Sequence, residues 1–287
     1  MRRLSIGLLG IAVVTTLVVL PAVAQTAPPK VILITQEHVK PGKMVAHEKM
    51  ETAWAQGLKK TLKATPLVFG LNPIAGPSEV WFLWTADSVA EMAKLEDSFA
   101  SGPAATLMQT YYPQETDFLT DSHSVMAVLE ESVSTNPKVN WGEARYMIIG
   151  TNRIRKEHDA EYAEYEKMQK AAREKSGIKW SALIYDVISG DKPNAYIYII
   201  PLKDLSIYSS EDVTLTPEDQ KRRRELVDKT IIEQNEILFA ISPGMSWPTA
   251  EMIATAPDFW TVKAVMAVKK SSATRTEAKE VKPKPTQ

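Results

Sequence analysis

The chain contains no cysteine. That rules out disulfides, thiolate metal sites and lipid attachment through a cysteine. Histidine is scarce, with four in 287 residues. None of them has a histidine or cysteine partner two or four residues on, so no zinc-ligand spacing is present and no metal is expected. There is no excess of positive charge: the formal net charge is −1, which excludes nucleic acid as a main partner. No P-loop, dinucleotide fingerprint, Ser-His-Asp arrangement or HExxH occurs, so the commonest cofactor and hydrolase signatures are missing.

Long apolar runs are confined to the start. Arg2 and Arg3 precede an apolar stretch from Leu8 to Leu20, followed by Pro21 and the small-x-small sequence Ala22-Val23-Ala24. This is the layout of a signal peptide over residues 1–24, with the mature chain expected to begin at Gln25. The run is short for a membrane span, and none is expected after cleavage. Ser5 stands where a twin-arginine signal usually has Phe, so general secretion to the periplasm or medium is the expected route. At the other end, residues 269–287 hold six basic and two acidic residues with almost nothing apolar. A tail of this kind is expected to be disordered and to touch anionic envelope surfaces weakly, if at all.

Between these ends, strand-like and helix-like segments alternate, and the order occurs twice. In residues 25–132, Val31–Val39 reads as a strand and Lys43–Leu62 as a helix. Leu67–Leu71 and Glu79–Thr85 read as strands. Helical segments then lead to a closing strand, Ser124–Glu130. In residues 143–268, Arg145–Ile154 is a strand, Asp159–Lys175 a helix, and Trp180–Ile188 and Ala195–Ile200 strands. Thr216-Pro217-Glu218 opens a helix expected to reach Phe239, and Phe259–Val268 is the expected closing strand. Its Lys221–Arg224 run reads as a solvated helix face. Three local matches support duplication: Val125-Met-Ala-Val128 with Val265-Met-Ala-Val268, Asp117-Phe118 with Asp258-Phe259, and Glu48-Lys49-Met50 with Glu166-Lys167-Met168.

Each β-α-β-β-α-β unit is the ferredoxin-like split βαβ, an α+β fold with helices on one face of an antiparallel sheet. The strands are apolar on both faces: Ile32, Leu33 and Ile34 run together, as do Val80 to Trp84. Both faces must therefore be covered. The economical arrangement packs the two bare sheet faces together as a fused pseudo-dimer.

This order of elements, over about Val31 to Val268, resembles the dimeric α+β barrel superfamily, which includes NIPSNAP-like proteins, antibiotic-biosynthesis monooxygenases, EthD-like proteins and chlorite dismutase. The resemblance implies a barrel-like fold with both units supplied by one chain. Chlorite dismutase holds haem through a histidine of its second unit; the histidine available here, His158, does not match that position, and no cofactor is expected.

The candidate ligand-binding residues are polar strand ends and aromatics. Aligning the two first strands pairs Glu37 with Asn152 and His38 with Arg153. Glu37 or His38 could act as a base, and Arg153 could hold an anionic group. Trp84 and Tyr185 could line an aromatic-substrate pocket. The residues support two readings: an exported module that binds a small molecule or a partner protein, and a cofactor-independent monooxygenase-like enzyme acting on a small organic substrate.

Overall fold

The computed structural model describes residues 27–62, 66–190, 193–209 and 213–261. The expected signal peptide and basic tail lie outside them. The first unit runs β1 (Val31–Val39), α1 (Met44–Thr61), β2 (Val68–Pro73), β3 (Glu79–Ala86), α2 (Val89–Ala100), α3 (Gly102–Glu115) and β4 (Leu119–Leu129). The second runs β5 (Tyr146–Ile154), α4 (Asp159–Lys175), β6 (Leu183–Ser189), β7 (Ala195–Leu202), α5 (Pro217–Thr230) and β8 (Ile231–Trp247), followed by the short helices α6 (Ala250–Thr255) and α7 (Pro257–Trp260). Among the described residues, no helix is long and apolar enough to cross a membrane.

Local chemistry explains the helix starts. Ser88 caps α2 by accepting the Glu91 N–H at 3.2 Å, while the Glu91 carboxylate accepts the Asp87 N–H at 3.1 Å. Thr216 caps α5 by accepting the Asp219 N–H at 3.1 Å, and Pro217 fills the first turn, where no backbone donor is needed. The basic run on α5 is solvated as expected, with Arg222 gripping Glu164 of α4 in a forked pair at 2.8 Å.

The strands form one closed barrel in the order β1-β3-β2-β8-β5-β7-β6-β4. Within each unit the order is the ferredoxin-like one, with the first strand flanked by the third and fourth. The units close on each other through the β2–β8 and β4–β6 pairs. Alternation along each strand then separates two cores. Ile32, Ile34, Trp81, Leu83, Met147, Ile149, Leu183, Tyr185, Ile197 and Ile199 fill the barrel interior. Val80, Phe82 and Trp84 face outward and pack with Trp54 and Leu58 of α1 and Met108 and Tyr111 of α3. The doubly apolar strands are thus explained: one face lines the shared barrel and the other lies under its unit's own helices.

Three expectations are corrected. The helix expected to reach Phe239 ends at Thr230, and the chain continues as β8. Glu233 to Glu236 read well as helix, but β5 has an edge that needs a partner, and Arg153↔Glu233 through Tyr146↔Ala240 supplies it. Tertiary pairing overrides a weak local preference here. The closing strand is therefore β8 and not Phe259–Val268; Phe259 and Trp260 belong to α7, and residues 262–268 lie outside the described residues. As a result, Asp258-Phe259 has no counterpart role to Asp117-Phe118. The Glu48–Met50 and Glu166–Met168 matches do fall on equivalent helices, but the buried side chains place Glu51, and not Glu48, opposite Glu166. The repeat stands on element order and sheet order.

Candidate ligand cavity and its counterpart in the second unit

On β1, Thr35 and Glu37 point outward beneath the helices. Helix α1 buries a stripe of His47, Glu51, Trp54, Ala55 and Leu58 against them, so an imidazole and a carboxyl occupy the first turns of a stripe that is otherwise apolar. His47 Nε2 lies 3.0 Å from Glu37 Oε2 and 3.3 Å from Glu51 Oε1. All three residues are buried. Despite these approaches, neither ring nitrogen of His47 makes a hydrogen bond, and Glu37 Oε2 and Glu51 Oε2 accept none. The Tyr111 hydroxyl of α3 donates to Glu51 Oε1.

Glu37 and Glu51, with His47 buried behind them, open onto a cavity of 250 Å³ between sheet and helices, walled by Trp54, Phe82, Trp84, Phe99, Tyr111 and Tyr112. Trp54 stacks on Tyr111 at 5.0 Å and meets Trp84 edge-on at 6.0 Å, which fixes the aromatic wall. Glu96 and Glu115 also line it, and among the described lining residues there is no lysine or arginine. Burial, then the charges of Glu37 and Glu115, hold the Glu51 carboxyl well above the usual range. Burial and the Glu37 charge, partly offset by His47, raise Glu115 to about 7. A site with this charge repels anions, and a carboxyl tuned near neutrality can exchange a proton with a bound molecule.

The second unit carries the counterpart trio at the same spacing. Asn152 of β5 is followed ten residues on by Tyr162, and four further on by Glu166. Here the groups bond to one another: Asn152 Nδ2 donates to Tyr162 Oη at 3.0 Å, and the Tyr162 hydroxyl donates to Glu166 Oε1 at 2.8 Å. Tyr162 stacks on Tyr196 at 4.5 Å. The remaining cavity is 190 Å³, with Arg173 and Arg223 facing Glu166 and Glu236.

The sequence-derived candidates separate accordingly. Glu37 and Trp84 meet in the first cavity. Asn152 lies in the second. His38 and Arg153 are each one residue along their strand and turn to the opposite face, at the barrel end, where Arg153 pairs with Glu233 at 3.3 Å. Tyr185 is sealed in the barrel core and donates to the Pro29 carbonyl at 3.0 Å. Sequence reading missed His47, Glu51, Trp54, Tyr111 and Glu115. The available signal was the i, i+4, i+7 placement of His47, Glu51 and Trp54 on one helix face; the adjacent Glu48 is on another.

The chain has the fold of the dimeric α+β barrel superfamily. A provisionally assigned monooxygenase from Fusobacterium nucleatum is similar over 75% of this chain and 93% of its own, at 10% identity and a TM-score of 0.52. An anthrone oxidase-like protein is similar over 75% and 92%, at 8% identity and a TM-score of 0.53. A NIPSNAP domain protein from Burkholderia xenovorans covers 35% of this chain and 95% of its own, at 19% identity and a TM-score of 0.31. No family model and no curated protein matches the sequence at a significant level.

Proposed function

We propose that the protein binds a small, neutral aromatic compound in the first-unit cavity, and that the Glu37–His47–Glu51 trio takes up a proton from it. The observation that carries this reading is the pair of buried, unpartnered carboxyl oxygens of Glu37 and Glu51, backed by His47, on a cavity with an aromatic wall. Buried polar groups normally find partners, and groups left without one inside a cavity are poised for a ligand. The volume of 250 Å³ lies below the ~300–1,000 Å³ of drug-sized sites, which suits a one- or two-ring compound. The surrounding carboxyls disfavour acids.

Isothermal titration with 2-naphthol and 2-naphthoate tests this. Naphthol should bind at least about tenfold more tightly than naphthoate, and Glu51→Gln should weaken naphthol binding by a similar factor, because the amide cannot take part in proton exchange with the hydroxyl. Equal affinity for the two compounds, or binding indifferent to Glu51→Gln, would sink the proposal. A second reading, oxidation of the ligand by dioxygen, draws support from structural neighbours described as a monooxygenase and as anthrone oxidase-like. In an oxygen electrode, anthrone should then consume one dioxygen as its methylene becomes a carbonyl and water is released. No uptake by protein that binds naphthol would leave the binding role alone.

A further inference from the structure

On the inward face of the same strands, a second group of side chains converges at the barrel end. His38 of β1 sits opposite Asp121 in the β1–β4 ladder and opposite Glu79 in the β1–β3 ladder; His123 is two residues from Asp121, on the same face. His38 Nδ1 lies 4.0 Å from Asp121 Oδ2, and His123 Nδ1 lies 3.8 Å from that same oxygen. The two imidazoles are stacked, with ring centroids 5.7 Å apart. One ligand atom from each of the three residues falls within a 4.8 Å cluster. The other nitrogen of His38, Nε2, lies 3.4 Å from Glu79 Oε2, and Glu79 is only 3% exposed. His38 Nδ1, the atom aimed at the cluster, is buried and makes no hydrogen bond.

We propose that His38, His123 and Asp121 bind a divalent transition metal of the zinc class, with Glu79 orienting His38 from behind. Two imidazoles and one carboxylate form a borderline donor set, suited to Zn²⁺ or Co²⁺ rather than to Ca²⁺ or Mg²⁺, which take oxygen ligands, or Cu⁺, which takes sulfur. Tetrahedral ligands at zinc distances stand about 3.4 Å apart, so the two carboxylate contacts, at 4.0 and 3.8 Å, and the rest of the 4.8 Å cluster must draw in around an ion. Asp121 is 69% exposed and free to swing inward. A carboxylate behind a ligating histidine is the usual outer partner, fixing ring orientation. The corresponding ladder positions in the second unit are Arg153, Glu233, Asn235 and Ala195. That set forms an ion pair and offers no imidazole. This site is independent of the ligand cavity, since His38 and Glu37 face opposite sides of the sheet.

The test uses the full chain, stripped with chelator and dialysed. Zn²⁺ should bind at one equivalent by calorimetry, and Co²⁺ should give visible ligand-field bands of a nitrogen–oxygen site. His123→Gln and Asp121→Asn should each weaken binding at least tenfold; the exposed Asp121 can be replaced without disturbing the fold. Glu79→Gln should weaken it about tenfold while keeping the stoichiometry, as an orienting partner does. His158→Gln should change nothing. Absence of binding overturns the proposal, as does an affinity lost with His47→Gln but not with His123→Gln, which would place the ion in the buried trio.

Discussion

At one position on the outer face of each unit's first strand, and at one of two positions on the helix that follows, the two halves of the barrel make different choices. The first unit has Glu37, His47 and Glu51; the second has Asn152, Tyr162 and Glu166. In the second, a tyrosine hydroxyl bridges the amide and the carboxyl. In the first, the imidazole sits beside two carboxyls and leaves buried atoms unpaired. The same backbone plan therefore carries a hydrogen-bonded chain on one side, where only Asn152 Oδ1 and Glu166 Oε2 lack partners, and on the other an imidazole with both ring nitrogens unbonded between two carboxyls. Unpaired buried groups are costly, so they persist where something else is gained, and a ligand site is the simplest gain.

The largest expected effect comes from breaking the hydrogen-bonded chain of the second unit. Tyr162→Phe removes the bridging hydroxyl and strands both Asn152 Nδ2 and Glu166 Oε1 in a buried setting. It should cost about 1–3 kcal/mol in urea denaturation. Glu51→Gln, in the other unit, replaces a carboxyl already held well above its usual range by burial and by the charges of Glu37 and Glu115. A neutral isostere there should change stability by less than about 1 kcal/mol, and toward greater stability. If Glu51→Gln costs as much as Tyr162→Phe, the contrast between the units is wrong.

The duplication and the α+β architecture were legible because strand and helix periodicities survive in both halves. The barrel was legible for a physical reason: strands apolar on both faces demand two covers. The placement of β8 was not legible. Residues 231–240 carry a helix-compatible sequence, and their strand form is dictated by the edge of β5, which is distant in sequence. Of the site, Glu37 and Trp84 were readable as strand residues on one face. His47 and Glu51 were hidden because their meaning comes from facing Glu37 across two elements; along the helix alone they look like one polar interruption of an apolar stripe. His38 was readable as polar but not as part of a cluster, since its neighbours Asp121 and His123 arrive from β4.

A second test compares how each unit treats its buried carboxyls. Around Glu166, the Arg173 charge and the Tyr162 hydrogen bond oppose the effect of burial. Around Glu115, the Glu37 charge adds to burial, and the carboxyl rises from 4.5 to about 7. A carboxyl raised on folding binds its proton more tightly in the native state. Its stabilising contribution is complete below the unfolded value and is lost as pH climbs from 4.5 to about 7. Glu115→Gln abolishes that loss. Because Glu115 is only partly buried, solvent screening reduces the effect to about 1–2 kcal/mol. The variant should gain that much on the wild type between about pH 5 and about pH 8 in paired urea titrations. A difference that stays flat with pH would mean Glu115 is not perturbed by the cavity.

The smallest effect concerns why the second cavity is the narrower one. Gly150 of β5 pairs with Tyr198 of β7, as Thr35 of β1 pairs with Phe82 of β3. A Cβ on Gly150 would lie 1.9 Å from Tyr198 Cζ and 2.2 Å from its oxygen, so the tyrosine ring lies across the glycine. From there the Tyr198 hydroxyl donates to Glu236 Oε2 at 2.7 Å. In the first unit, Thr35 already has a Cβ, and the corresponding space stays open as part of the ligand cavity. Gly150→Ala should push the ring aside and break the Tyr198–Glu236 bond. The displaced atoms are the far end of a half-buried side chain, so the cost should be about 1 kcal/mol, or a fall of ~2–4 °C in Tm. A double-mutant cycle sharpens the point: in a Tyr198→Ala background, Gly150→Ala should cost almost nothing, because the ring it displaces is gone. A cost that survives in that background would trace the glycine to backbone strain instead, and would leave the difference between the two cavities to the trios alone.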